Sequence, residues 1–106
     1  MAIHQTESFG PSVSMFTFET EAEAIELQVA NDTEYGLSAV VFTEKLQTGL
    51  RMSRQIESGA VHINSMTVHG EYTLPHGGVK SSCFGRFNGY QGLDEFLYSK
   101  TVTWMD

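Results

Sequence analysis

Cations are scarce in this sequence. Six Lys and Arg stand against 13 Asp and Glu, and the formal net charge is -7. The few cations are scattered, so no basic patch can neutralise a phosphate backbone, and no nucleic acid partner is expected. Long apolar runs are missing too: nothing approaches the about 18 residues of a membrane-spanning helix, so no membrane partner is expected. The first residues, Met1 to Glu7, lack a basic stretch followed by an apolar one, and no secretory signal is expected there. Cys83 is the single cysteine, which excludes an internal disulfide and fits a reducing, cytoplasmic setting. Of the histidines, His62, His69 and His76 recur at even intervals, but none forms the close pair of a structural zinc site, so no metal is expected. Internal repeats, low-complexity tracts and linkers are also absent.

What is present argues for one folded domain. The 106 residues are 41% apolar and 11% aromatic, enough for a core of marginal independent stability. Val13 to Phe18 is rich in β-branched and aromatic residues and predicts a strand. Thr20 and Glu23 have the spacing of a capping box, which predicts a helix to about Ala30 with Ala22, Ile25 and Val29 on its apolar face. Leu37 to Thr43 is a short apolar run suited to a buried strand. Thr43 can cap a second helix over Glu44 to Ile56, whose Leu46 and Leu50 would face the sheet. Gly49 weakens that helix unless close packing requires it. Ala60 to Asn64 predicts a third strand.

This order predicts an α/β fold: a partial parallel sheet built from a βαβαβ unit with right-handed crossovers. A long loop from Ser65 to Asn88 follows. After it come a helix over Gly89 to Ser99, with Leu93, Phe96 and Leu97 on its apolar face, and a last strand over Thr101 to Trp104. Ligands of parallel sheets bind beyond the carboxyl ends of the strands, where the long loop begins. A loop of that length in a compact domain is more often functional than structural filler.

The loop contains Pro75-His76-Gly77-Gly78-Val79-Lys80-Ser81-Ser82-Cys83-Phe84-Gly85-Arg86. Its glycines do not match a phosphate-binding pattern, because no Gly precedes Lys80 directly. The stretch resembles the Pro-Phe-Gly-Gly-x-Lys-x-Ser-Gly-x-Gly-Arg loop of the aldehyde dehydrogenase superfamily. Glu7-Ser8-Phe9-Gly10-Pro11 resembles that family's Glu-x-Phe-Gly-Pro motif, and Asn31 to Leu37 resembles its Asn-x-x-x-Tyr-Gly-Leu segment. The resemblance covers almost the whole chain but only the last fifth or so of a family member. It implies residues 1–99 as the C-terminal part of the catalytic domain and 100–106 as a terminal oligomerisation strand.

Full family members bind NAD or NADP in a separate Rossmann domain. They oxidise aldehydes to acids through a Cys thiohemiacetal, hydride transfer and Glu-assisted thioester hydrolysis. The resemblance implies that Glu7 accepts hydrogen bonds from the nicotinamide ribose and that Phe9 packs beside the nicotinamide. It implies that Thr67, Val68, His69 and His76 border the substrate tunnel. Thr67-Val68-His69-Gly70-Glu71 is similar to the Thr-Val-His-Asp-Glu of members acting on salicylaldehyde, vanillin and benzaldehyde, with Gly70 in place of Asp, and so implies an aromatic aldehyde. No catalytic residue is carried over: the family's nucleophilic Cys, general-base Glu and oxyanion-holding Asn lie in segments that these residues do not match. The chain alone is therefore expected to be inactive and to bind cofactor weakly or not at all. A homo-oligomer or a mixed oligomer with an intact family member is the partner expectation, and a non-catalytic interaction module is the alternative function.

Two departures from the family pattern stand out. Ile25 to Asn31 is longer than the usual Ile-x-Leu-Ala-Asn, and the added residues rotate everything beyond them on a helix. Cys83 stands where the family has Gly. If that position needs a positive φ, Cys strains the backbone by about 1–2 kcal/mol. Lys80 and Arg86 are near enough in sequence to favour a thiolate, yet Cys83 reads as packing rather than as a nucleophile.

Overall fold

The computed structural model describes residues 6–26, 30–68 and 70–106. The chain enters helix α1 (Glu21–Glu26) through the expected cap. Thr20 Oγ1 accepts from the Glu23 backbone N–H at 3.2 Å, and the Glu23 carboxylate accepts from the Glu19 N–H at 2.8 Å. Both bonds satisfy amide donors that the helix itself leaves orphaned. Ile25 is buried and Ala22 exposed, so only part of the expected apolar face turns inward. Leu27 to Val29, the rest of that face and the site of the added residues, lies outside the described residues.

The centre is a strand–helix–strand unit. Strand β2 (Ser38–Val41) and strand β3 (Ala60–Ile63) pair in parallel, with Ser38 opposite Ala60 and Val41 opposite Ile63. Helix α2 (Leu46–Ser53) connects them. Asn64 prolongs the pairing past the strand ends: its side-chain oxygen accepts from the Thr43 N–H and its amide donates to the Thr43 carbonyl, both at 2.8 Å. Strand β1 (Tyr35–Gly36) pairs antiparallel with strand β4 (Val79–Lys80), and helix α3 (Gly89–Asp94) follows. The α/β class and its small parallel sheet are as expected, and the sheet comprises one crossover unit among the described residues.

Several expectations fail in detail. α2 begins at Leu46 with Lys45 as N-cap and no side-chain cap; the Thr43 hydroxyl instead accepts from the Lys45 N–H at 3.2 Å. Leu46 and Leu50 are exposed, and Gly49 is the residue that meets the sheet. A Cβ on Gly49 would stand 3.0 Å from two carbons of the Ile63 side chain, so a larger residue there would require the Ile63 side chain to shift by a few tenths of an ångström. α3 is shorter than expected, and Leu93, Phe96 and Leu97 point to solvent.

Residues 12–18 and 101–104 carry β-prone side chains but no strand. A β-ribbon is stabilised by cross-strand pairs and by a covered face. Val13, Met15, Val102 and Trp104 are all exposed, so neither segment has a covered face. The outcome is an open molecule. Its radius of gyration is 18.2 Å, against about 13 Å for a compact chain of this length. Among the described apolar side chains only Ala24, Ile25 and Val41 are buried.

The long loop is held by charge and by backbone contact. The half-buried Lys80 ammonium donates to the Asn31 carbonyl at 2.8 Å and the Thr33 carbonyl at 3.1 Å, and pairs with Glu57 at 2.7 Å. Asn31 is itself clasped to the end of α2, donating to the Gln55 carbonyl and accepting from the Glu57 N–H, each at 2.8 Å. Arg86 donates to the carbonyls of Gly78 at 2.8 Å and Gly85 at 2.7 Å, which closes the loop on itself. By contrast, the Arg51–Glu21 pair between α2 and α1 is exposed on both sides and contributes little.

Two substitutions test this framework. Lys80→Met leaves the Asn31 and Thr33 carbonyls without their donor and should lower stability by about 1–3 kcal/mol, read as a fall in the urea midpoint. A Cβ on Gly59 would run into the Gly77 backbone carbonyl, whereas one on Gly10 meets open space. Gly59→Ala should therefore cost about 1–3 kcal/mol in thermal unfolding, and Gly10→Ala less than about 0.5.

Candidate functional site

The loop and the sheet enclose a cavity of about 470 Å³, within the range of small-ligand sites. Leu37 and Ser38, at the start of β2, form one wall. Thr67, Val68 and Gly70, which follow β3 but turn back to the amino end of the β2–β3 pair, form a second, so the cavity does not lie beyond the carboxyl ends of the strands as expected. His76 and Phe87 form the third. The Ser38 hydroxyl donates to the Thr67 carbonyl at 3.0 Å and so fixes the first wall to the second. His76 and Phe87 exchange backbone hydrogen bonds of 2.8 Å in both directions. Leu37, Val68 and Phe87 make the lining apolar, and the Thr67 hydroxyl and His76 imidazole are the groups that could orient a carbonyl oxygen.

Three of the four expected tunnel residues, Thr67, Val68 and His76, thus converge on one cavity; His69 lies outside the described residues. Sequence reasoning missed Leu37, Ser38 and Phe87. Leu37 closes the Tyr-Gly-Leu segment and could have been singled out. Phe87 comes one residue after the last matched position, Arg86, and no motif marks it.

A second hollow, of about 340 Å³, shares Leu37 and Ser38 with the first. Glu7 is on its wall, with Gly36, Glu57, Ser58 and Ser82. Ser82 Oγ accepts from the Gly36 N–H at 2.8 Å and so holds the glycine loop against β1. Phe9 is not in the lining and is 96% exposed, so the structure brings Glu7 to a concave surface and leaves Phe9 outside it.

Cys83 does not carry the strain considered for it. Positive φ falls on Lys80 (54°) and Gly85 (69°) on either side, not on Cys83. Its thiol is half-buried and contacts the Phe84 carbonyl at 3.2 Å, so its surroundings are those of a loop-packing residue. Among the described residues no group of three or more His, Cys, Asp or Glu is placed to hold a metal ion.

Comparison with known proteins places these features in a family. The model of the aldehyde dehydrogenase family matches residues 1–102. Vanillin dehydrogenase of Pseudomonas fluorescens is 44% identical over 103 residues, which is 97% of this chain and 21% of that protein. The crystal structure of a salicylaldehyde dehydrogenase from Pseudomonas putida G7 complexed with salicylaldehyde superposes with a TM-score of 0.81 at 44% identity, covering 88% of this chain and 19% of that one. Betaine aldehyde dehydrogenase from Staphylococcus aureus in complex with NAD+ gives 0.85 at 42% identity, covering 94% and 19%. The chain therefore spans about a fifth of the length of the relatives it matches. With a family match over nearly all of its residues, this chain belongs to the aldehyde dehydrogenase family.

Proposed function

We propose that these residues form the C-terminal part of an NAD(P)-dependent aldehyde dehydrogenase that oxidises an aromatic aldehyde to the carboxylic acid. In this reading residues 1–99 belong to the catalytic domain and supply one side of the substrate tunnel, while 100–106 serve assembly. The observation that carries it is the convergence of Thr67, Val68 and His76 on one largely apolar cavity beside the start of β2. An apolar enclosure with few polar groups suits an aryl ring bearing a single carbonyl.

For the cofactor, the residues fit one end of a dinucleotide. Glu7 offers two acceptor oxygens at the wall of the second hollow, the chemistry that binds the vicinal hydroxyls of a ribose. The exposed face of Phe9 is suited to a planar ring. When bound, the nicotinamide accepts the hydride of the oxidation. No glycine-rich phosphate cradle occurs in the sequence, so cofactor affinity of this chain alone should be weak or nil. Cys83, packed within its loop, is assigned no part in the chemistry, and the chain alone should be inactive. The purified chain, once shown to unfold cooperatively, should form no NADH or NADPH with salicylaldehyde or benzaldehyde. Turnover that disappears in Cys83→Ser would sink this reading.

A second reading is favoured by one observation. The end of the chain, from Lys100 to Asp106, has no regular structure, and Val102, Trp104 and Met105 are exposed on it. Such a segment can add to a sheet edge of an intact family subunit. Co-expression with an affinity-tagged intact subunit should yield mixed assemblies on size-exclusion chromatography. A chain that elutes only as a monomer, apart from the tagged subunit, removes this reading.

A further inference from the structure

We propose that Phe87 sets the substrate preference of the aldehyde cavity: its ring is the surface against which the planar ring of an aromatic aldehyde lies. The inference rests on the reading of that cavity as the aldehyde site.

The backbone of Phe87 is fixed from three sides. Its reciprocal 2.8 Å bonds with His76 make an antiparallel hydrogen-bonded pair, in which opposed side chains project to the same face. The two rings accordingly meet edge to face, with centroids 5.0 Å apart and planes at 64°. The first turn of α3 seats on the other side: a Cβ on Gly92 would stand 3.0 Å from the Phe87 carbonyl carbon and 3.1 Å from its Cα. The next residues anchor it along the chain. Asn88, at a φ of 64°, donates through its side chain to the Glu71 carbonyl at 3.2 Å, and Gly89 donates to the Tyr72 carbonyl at 2.9 Å.

This fixed ring is nevertheless 56% exposed and lines the cavity. A large apolar ring whose backbone is held while its face stays open is prepared to pack against a ligand at little further ordering cost. The other large apolar side chains of the lining, Leu37 and Val68, are aliphatic and discriminate poorly between a flat ring and a flexible chain. An aryl ring gains an offset or edge contact with Phe87 beyond the area it buries, whereas an alkyl chain gains area alone.

The test is a titration of the full chain with 4-fluorobenzaldehyde, followed by fluorine NMR, beside butanal, followed by protein chemical shifts. Phe87→Ala should weaken 4-fluorobenzaldehyde binding about three- to tenfold and leave butanal within about twofold. Phe87→Tyr, which keeps the ring, should restore aromatic binding. In the unmutated chain, nuclear Overhauser contacts should join the ligand ring protons to the Phe87 ring, a readout that does not depend on how any variant folds. Aromatic binding that is insensitive to Phe87→Ala and lacks those contacts would overturn the role of Phe87 alone. If neither aldehyde binds the unmutated chain, the cavity reading itself fails, and the role of Phe87 with it.

Discussion

The Lys80 ammonium is the contact on which the arrangement depends. It is half-buried, with two carbonyl acceptors and a carboxylate around it. Those acceptors come from the segment after α1 and from the turn after α2, while Lys80 itself sits in β4. One side chain therefore ties together three stretches that are far apart in sequence. Because Lys80 is the last residue of the short β1–β4 pair, its clamp also fixes where the glycine loop runs. That in turn sets the position of His76 upstream and, through Arg86 and its two carbonyls, of Phe87 downstream. Lys80 holds this place with a positive φ of 54°.

Around this clamp the molecule exposes far more apolar surface than a self-contained domain does. Most of its described aromatic and large aliphatic side chains face solvent. Hydrophobic burial therefore cannot be the main support of the loop; hydrogen bonds to Lys80, Asn31, Asn64 and Arg86, together with glycine-mediated backbone contact, supply much of it. Such a framework is precise but shallow. It holds two neighbouring hollows that share Leu37 and Ser38, one of them bordered by the Glu7 carboxylate.

The readable parts of the sequence were those governed by local rules. Thr20 and Glu23 gave the first helix its start, because cap hydrogen bonds involve neighbours only. The two apolar runs around α2 gave the parallel pair through their β-branched composition, although the strand expected to be buried is only half-buried apart from Val41. Thr67, Val68 and His76 were found through a motif and do share a cavity. The failures follow from long-range terms. Strand propensity at 12–18 and 101–104 was real but had no partner strand to meet. Leu46 and Leu50 had the right period, yet Gly49 took the sheet-facing place, in tight contact with the Ile63 side chain.

What the sequence by itself determined is the family, the order of helix and strand at the centre, and the identity of the motif side chains, since all of these are carried by residue type and short spacing. Only the tertiary structure decided which side chains meet. It placed Phe87 opposite His76, kept Phe9 out of the hollow that holds Glu7, and assigned positive φ to Lys80 and Gly85 instead of Cys83. The reason is that a cavity wall is assembled from segments distant in the chain, and their meeting is fixed by backbone pairing and steric fit that no single stretch of residues encodes.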